Sequence, residues 1–228
     1  MDTPHLPPLF RPRPLDRGDP FAAATARAAA GNDNDDGEEA GTLLWSRRPD
    51  RLDLAVVLGP DRPLPETRLV VAVTLIALAD ALEALGPPTL AVSFGWPDRL
   101  LVNGALAGGV RFAAAPGTPE DDVPAWAVVG ATVDVLGDPD DPDPGRHPDR
   151  TALREEGFGD LEVPALLESF ARHFLSWTDI WEDAGFQPAQ VIWQRRLDRP
   201  IALPELGAAL QAPTWTLPER PLPERRGP

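Results

Sequence analysis

The sequence predicts one α+β domain built on a mixed, mostly antiparallel sheet packed with helices. Three observations lead there. Short apolar runs bounded by Gly, Pro and Asn recur through the middle of the chain, as strands do. A proline-free apolar stretch at 66–85 and a face of large apolar residues at 163–184 have the length and spacing of helices. The 228 residues suit one domain with tails and leave little room for a second.

Taken in order, residues 1–20 hold Pro4, Pro7, Pro8, Pro12, Pro14 and Pro20. Proline lacks the N–H that a helix needs, so this stretch is expected to be extended or mobile. Residues 21–30 are Ala-rich and helix-forming, and residues 32–39 are an acidic linker that cannot bury itself. Residues 1–40 therefore read as a flexible N-terminal arm, 41–200 as the domain, and 201–228 as a Pro-rich tail. Within the domain, Thr42-Leu43-Leu44-Trp45 and residues 52–58 read as strands on either side of the basic corner Arg47-Arg48-Pro49-Asp50-Arg51. The helix at 66–85 ends at Gly86-Pro87-Pro88. Residues 90–94 and 100–102 read as strands flanking Gly95-Trp96-Pro97-Asp98. Asn103-Gly104 predicts a two-residue hairpin turn, because both residues tolerate positive φ. Residues 105–115 should return antiparallel, with Gly108-Gly109 marking a bulge or a close backbone approach. A well-buried strand at 126–135 is followed by an acidic Pro/Asp loop at 137–150. Pro164 enters and Gly185 closes a helix with Leu166, Leu167, Phe170, Phe174, Trp177 and Trp181 on one face. A last short helix is expected around 189–196.

Composition excludes several chemistries. The net charge of -15 opposes phosphate backbones and anionic headgroups, so neither nucleic acid nor a membrane surface is an expected partner. The chain contains no Cys, no Tyr and no Lys, which removes thiolate, phenol and Schiff-base chemistry. His5, His147 and His173 form no metal-ligand pattern, and Asp138, Asp140, Asp141 and Asp143 lack calcium-loop spacing, so no metal site is expected. The prolines at the start break any signal-peptide pattern, and the longest apolar run contains Asp80 and Glu83. Together with the Ala, Pro and Arg bias of a GC-rich genome, this reads as a bacterial cytoplasmic protein.

The stretch Gly95-Trp96-Pro97-Asp98-Arg99-Leu100-Leu101-Val102-Asn103-Gly104-Ala105-Leu106-Ala107-Gly108-Gly109-Val110 resembles the Lys-Trp-Pro-Asn-Asp strand and Lys-x-x-Gly-Gly hairpin arm of the biotin and lipoate protein ligase catalytic domain. Residues 128–135 are similar to that family's Val-Ile-Gly-Ile-Gly-Ile-Asn-Val strand, Thr151-Ala152-Leu153 to its Thr-Ser-Leu, and Gly185-Phe186 to the Gly-Phe after its long helix. The resemblance implies the family's fold and a reaction in which ATP with magnesium activates biotin, lipoate or a related acid as an acyl-adenylate. The acyl group then passes to a lysine of a biotinyl or lipoyl carrier protein. It also implies a ligand site at Arg47, Arg48, Trp96, Asp98, Asn103, Gly108 and Gly109, with no catalytic residue assigned. The departures lie in the chemistry. Gly95 and Leu106 stand where the family has lysines, Asp98-Arg99 where it has Asn-Asp, and Asp134 where it has Asn. The alternative expectation is a non-catalytic relative that binds or assembles an acylated carrier or a partner enzyme.

Overall fold

The computed structural model describes residues 4–31, 40–137, 147–199, 210 and 212–218. The acidic linker at 32–39, most of the Asp/Pro loop and most of the tail lie outside the described residues. Seven strands form one sheet: β1 (Arg11–Leu15), β2 (Thr42–Ser46), β3 (Arg51–Leu58), β4 (Val92–Gly95), β5 (Arg99–Val102), β6 (Ala105–Ala114) and β7 (Ala127–Asp134). Their order is β1-β2-β3-β7-β6-β5-β4. β1 runs parallel to β2 and the other pairings are antiparallel, so the sheet is mixed as the sequence predicts.

The helices divide between the two faces. α1 (Pro20–Gly31) covers one, with Ala24 and Ala28 packed on Leu44, Ala55, Val57 and Val128 in a small apolar cluster. A short turn of helix, α2 (Leu64–Thr67), leads into α3 (Val70–Leu85), and α4 (Val163–Ala184) and α5 (Gln187–Arg196) follow later in the chain. The main core lies between the second face of the sheet and α3, α4 and α5. α3 is apolar on nearly every side because it is enclosed between sheet and helices, and its one buried hydroxyl, Thr74, donates to Val70 O at 2.7 Å. α4 buries Leu166, Leu167, Phe170, Phe174 and Trp181 at helical spacing. Burial of each such side chain is worth about 1.5–3 kcal/mol before ordering costs. A polar tie crosses the helix layer, where Trp177 Nε1 donates to Asp80 at 2.7 Å and Arg196 bonds Glu83 through both Nη atoms at 2.6 and 2.9 Å.

Two departures from expectation stand out. The N-terminal arm is not loose over its described part: Phe10 is buried in the main core, Arg11–Leu15 pair with β2, and α1 packs on the sheet. The helix expected over 66–85 is two helices, broken at Arg68 and Leu69. Asn103-Gly104 forms the predicted turn, with φ of 49° and 86°. Among the described residues, no helix is long and apolar enough to cross a membrane.

Candidate functional site

Strand alternation leaves a polar row on the α1 side of the sheet. Leu52, Leu54, Ala131, Val133, Leu100 and Val110 point into the main core, so their neighbours along each strand point the other way. Register then aligns Asp53 with Thr132, Thr132 with Gly109, Gly109 with Arg99, and Arg99 with Gly95. Five strands thus contribute one residue each to a single line across the sheet. Next to it, Ala55, Gly130 and Arg111 form a second line, and α1 covers that one. Arg111 makes a two-point pair with Asp19 at 2.7 Å to each oxygen and lies 4.6 Å above the Phe21 ring. Phe21 in turn occupies the space a Cβ would need at Gly130.

The cations of this face are matched by carboxylates. Arg48 bonds Asp50 through Nε at 3.0 Å and Nη2 at 2.6 Å, and Arg51 Nε lies 2.6 Å from Asp134 Oδ1 in a buried pair. Burial pushes Asp50 up, but the hydrogen bond and charge of Arg48 outweigh it and hold the carboxyl below its ordinary 3.8. Burial likewise pushes Asp19 up, and the bonds and charge of Arg111 with the Phe21 and Ala22 N–H groups leave it lowered. Arg99 differs: its Nε is buried with no hydrogen-bond partner, and its Nη2 reaches only Trp96 O at 3.3 Å.

Two carboxylates, the buried Asp98 and the half-buried Asp53, go the other way. Desolvation raises Asp98 above 3.8, and its bonds from Thr214 offset this only in part. Desolvation also raises Asp53, against the Thr132 hydroxyl and the charges of Arg51, Arg48 and Arg111. A carboxyl whose folded pKa exceeds its unfolded one binds its proton more tightly in the fold. Its stabilising contribution is complete below 3.8 and is lost as pH climbs through the raised value. Asp53→Asn is therefore expected to be more stable than wild type at pH 7, with the gain shrinking as pH falls toward 3.8. Urea denaturation at a series of pH values checks this, and a variant less stable at pH 7 than at pH 4 relative to wild type would contradict it.

The structure sorts the sequence-predicted site residues into three groups. Gly109 lies in the row itself, Asp98 lies beside it, and Arg48 reaches it through its charge on Asp53. Gly108 is one residue away but serves strand pairing, since a Cβ there would overlap the Thr132 carbonyl oxygen. Three residues stand apart from the row. Trp96 packs toward the helices, 5.8 Å from the Trp193 ring, because the strand end turns its side chain to the core side. Asn103 is spent on the hairpin, accepting from Ala91 N at 3.1 Å and donating to Glu156 at 2.5 Å. Arg47 is exposed and pairs with Asp16 at 3.4 Å. The residues that sequence reasoning missed are Asp53, Thr132, Thr214 and Trp215. The first two follow only from register, and the last two come from the tail. Among the described residues no group of three or more His, Asp or Glu side chains could hold a metal ion.

Comparison with known proteins gives the family and the fold. Residues 6–195 match the model of the biotin/lipoate A/B protein ligase family. A biotin protein ligase-like protein of unknown function from Silicibacter sp. TM1040 is 34% identical, with 86% of this chain and 81% of that chain covered and a TM-score of 0.76. The biotin protein ligase of Aquifex aeolicus is 16% identical over 83% of this chain and 78% of that one, TM-score 0.63, a likeness of fold. The same enzyme in complex with biotin and ATP aligns at 15% identity, over 82% and 78% of the two chains, TM-score 0.61. Curated proteins return no match. The fold, the order of the motifs and the match along most of the chain agree, and the chain belongs to the biotin/lipoate A/B protein ligase family.

Proposed function

We propose that this chain is a non-catalytic member of its family, which keeps a small-acid site on the α1 face of the sheet and acts as a binding or assembly protein for an acylated carrier or a partner enzyme. The observation that supports it is the charge balance. Arg48, Arg51 and Arg111 are each closed on a carboxylate, and Leu106 stands at the family's lysine position. Forming an acyl-adenylate requires cations to offset charge developing on phosphate, and losing one such contact costs about 3–4 kcal/mol. ATP with magnesium does not fit these residues, because a triphosphate would have to break existing pairs on a face that also holds Asp19, Asp50, Asp53, Asp98 and Asp134. Biotin or lipoate asks less of the site: a ring-sized surface at Gly109, a main-chain acceptor at Val110, and one guanidinium, Arg99, for the carboxylate.

One observation favours the alternative, an active ligase that joins biotin, lipoate or a related acid to a carrier lysine through an adenylate. The Arg99 guanidinium lies against Gly95, where a Cβ would sit 3.0 Å from its Nε. A cation thus still reaches the place where the resemblance puts the first lysine. An assay of AMP and pyrophosphate release from labelled ATP, run with biotin, lipoate and octanoate, decides between the two. Non-catalytic binding predicts no acid-dependent turnover above the acid-free control. Acid-dependent adenylate formation would replace it with the alternative.

A further inference from the structure

The chain's own tail returns to the polar row at Gly109. Residues 212–218 return from the C-terminal side and hold to the face at three points. Thr214 donates to the Asp98 carboxylate twice, through its main-chain N–H at 3.0 Å and through its hydroxyl. Trp215 lays its indole on Gly109, where a Cβ would come within 2.6 Å of Trp215 Cδ1, and donates Nε1–H to Val110 O at 3.1 Å. The Pro218 carbonyl accepts from Arg51 Nη2 at 2.8 Å.

Trp215 is 9% exposed, yet it belongs to neither hydrophobic cluster of the domain. Its ring lies on Gly109, its Nε1–H is taken by a main-chain carbonyl, and Thr214 beside it is anchored on Asp98. A flat ring on a glycine, with its N–H satisfied by backbone, is how a small heterocyclic ligand is held. All three anchors are non-covalent and are made by one short segment. Resting on the small-acid reading above, we propose that residues 214–218 are an intramolecular occupant of the site, so that a ring-bearing carboxylic acid docks on Gly109 only when Trp215 leaves. A competing segment at high effective concentration lowers apparent affinity by the fraction of molecules left open.

The test uses the full chain with free indole, biotin and lipoate as probes. In Trp215→Ala the vacated ring space should take up indole, giving a dose-dependent rise in melting temperature that wild type does not show. A folded Trp215→Ala that ignores indole overturns the proposal. By calorimetric titration, biotin or lipoate should bind Trp215→Ala at least tenfold more tightly than wild type. Measurable binding of an acid that is equal in both proteins also overturns it. Binding of neither acid to either protein, with indole still taken up by Trp215→Ala, keeps the occupant and removes the small-acid reading, so the two failures are distinguishable. If Trp215→Ala does not fold, Gly109→Ala serves instead, because its Cβ expels the indole. Amide hydrogen exchange at residues 214–217 should then rise at least tenfold, and unchanged exchange would refute the occupant.

Discussion

Replacement of Gly108 by alanine is expected to destabilise the fold by about 3 kcal/mol or more, at the top of the range for forcing atoms into packed structure. The added Cβ would overlap the Thr132 carbonyl oxygen and stand 2.9 Å from Val133 Cα. Both are backbone atoms of β7 and cannot rotate aside, so β6 and β7 would have to separate in the middle of the sheet. Gly109→Ala meets only the Trp215 ring among its nearest contacts, and that ring belongs to the tail segment proposed above to leave the face. Its cost should be smaller and should vanish in a Trp215→Ala background. Urea denaturation of the two variants checks the ranking, and a Gly108→Ala protein as stable as Gly109→Ala would show that the β6–β7 pairing is misassigned.

Arg51→Ala should cost about 3–5 kcal/mol, because it takes from the buried Asp134 carboxylate the guanidinium that bonds it. Arg51 and Asp134 are 8% and 3% exposed and meet at 2.6 Å. The loss reflects the cost of keeping a carboxylate buried there more than the attraction itself. The double replacement Arg51→Met with Asp134→Leu should therefore recover most of the stability, and may be measured against wild type by the same equilibrium unfolding. A double variant as unstable as the single one would mean that the pair supports something beyond its own charges, such as the Pro218 anchor on Arg51 Nη2.

Local order was legible wherever it is written locally. The Asn103-Gly104 turn, the amphipathic face of α4 and the wholly buried β7 all follow from spacing within a few residues. The candidate site was legible only at Gly109, Asp98 and Arg48. Its partners are far apart in the chain: Arg51 and Asp134 are separated by 83 positions, Val110 and Trp215 by 105, and Asp98 and Thr214 by 116. No periodicity connects such residues, and only the strand register brings Asp53, Thr132, Gly109, Arg99 and Gly95 into line. Trp96 shows the same dependence on distant partners. An aromatic beside a strand end suits a ligand or a core equally well, and the choice depends on α5, whose Trp193 was already waiting on the core side. The Gly108-Gly109 pair did signal close approach, but two different neighbours make that approach, a strand to one residue and an indole to the other.

The prolines that made residues 1–20 look unstructured have a different meaning once β1 is seen at the rim of the sheet. In a parallel pair, alternate residues direct both backbone groups to the neighbour, and Arg11 N donates to Gly41 O at 2.8 Å. Arg11, Arg13 and Leu15 therefore face β2, while Pro12 and Pro14 face outward. Neither proline has an N–H to offer, and β1 is exposed along nearly its whole length with an arginine at each intervening position but the last. The sheet thus ends in a border that another molecule's strand cannot extend, a built-in guard against self-association and fibrillar growth in a chain whose inner strands are as apolar as β7.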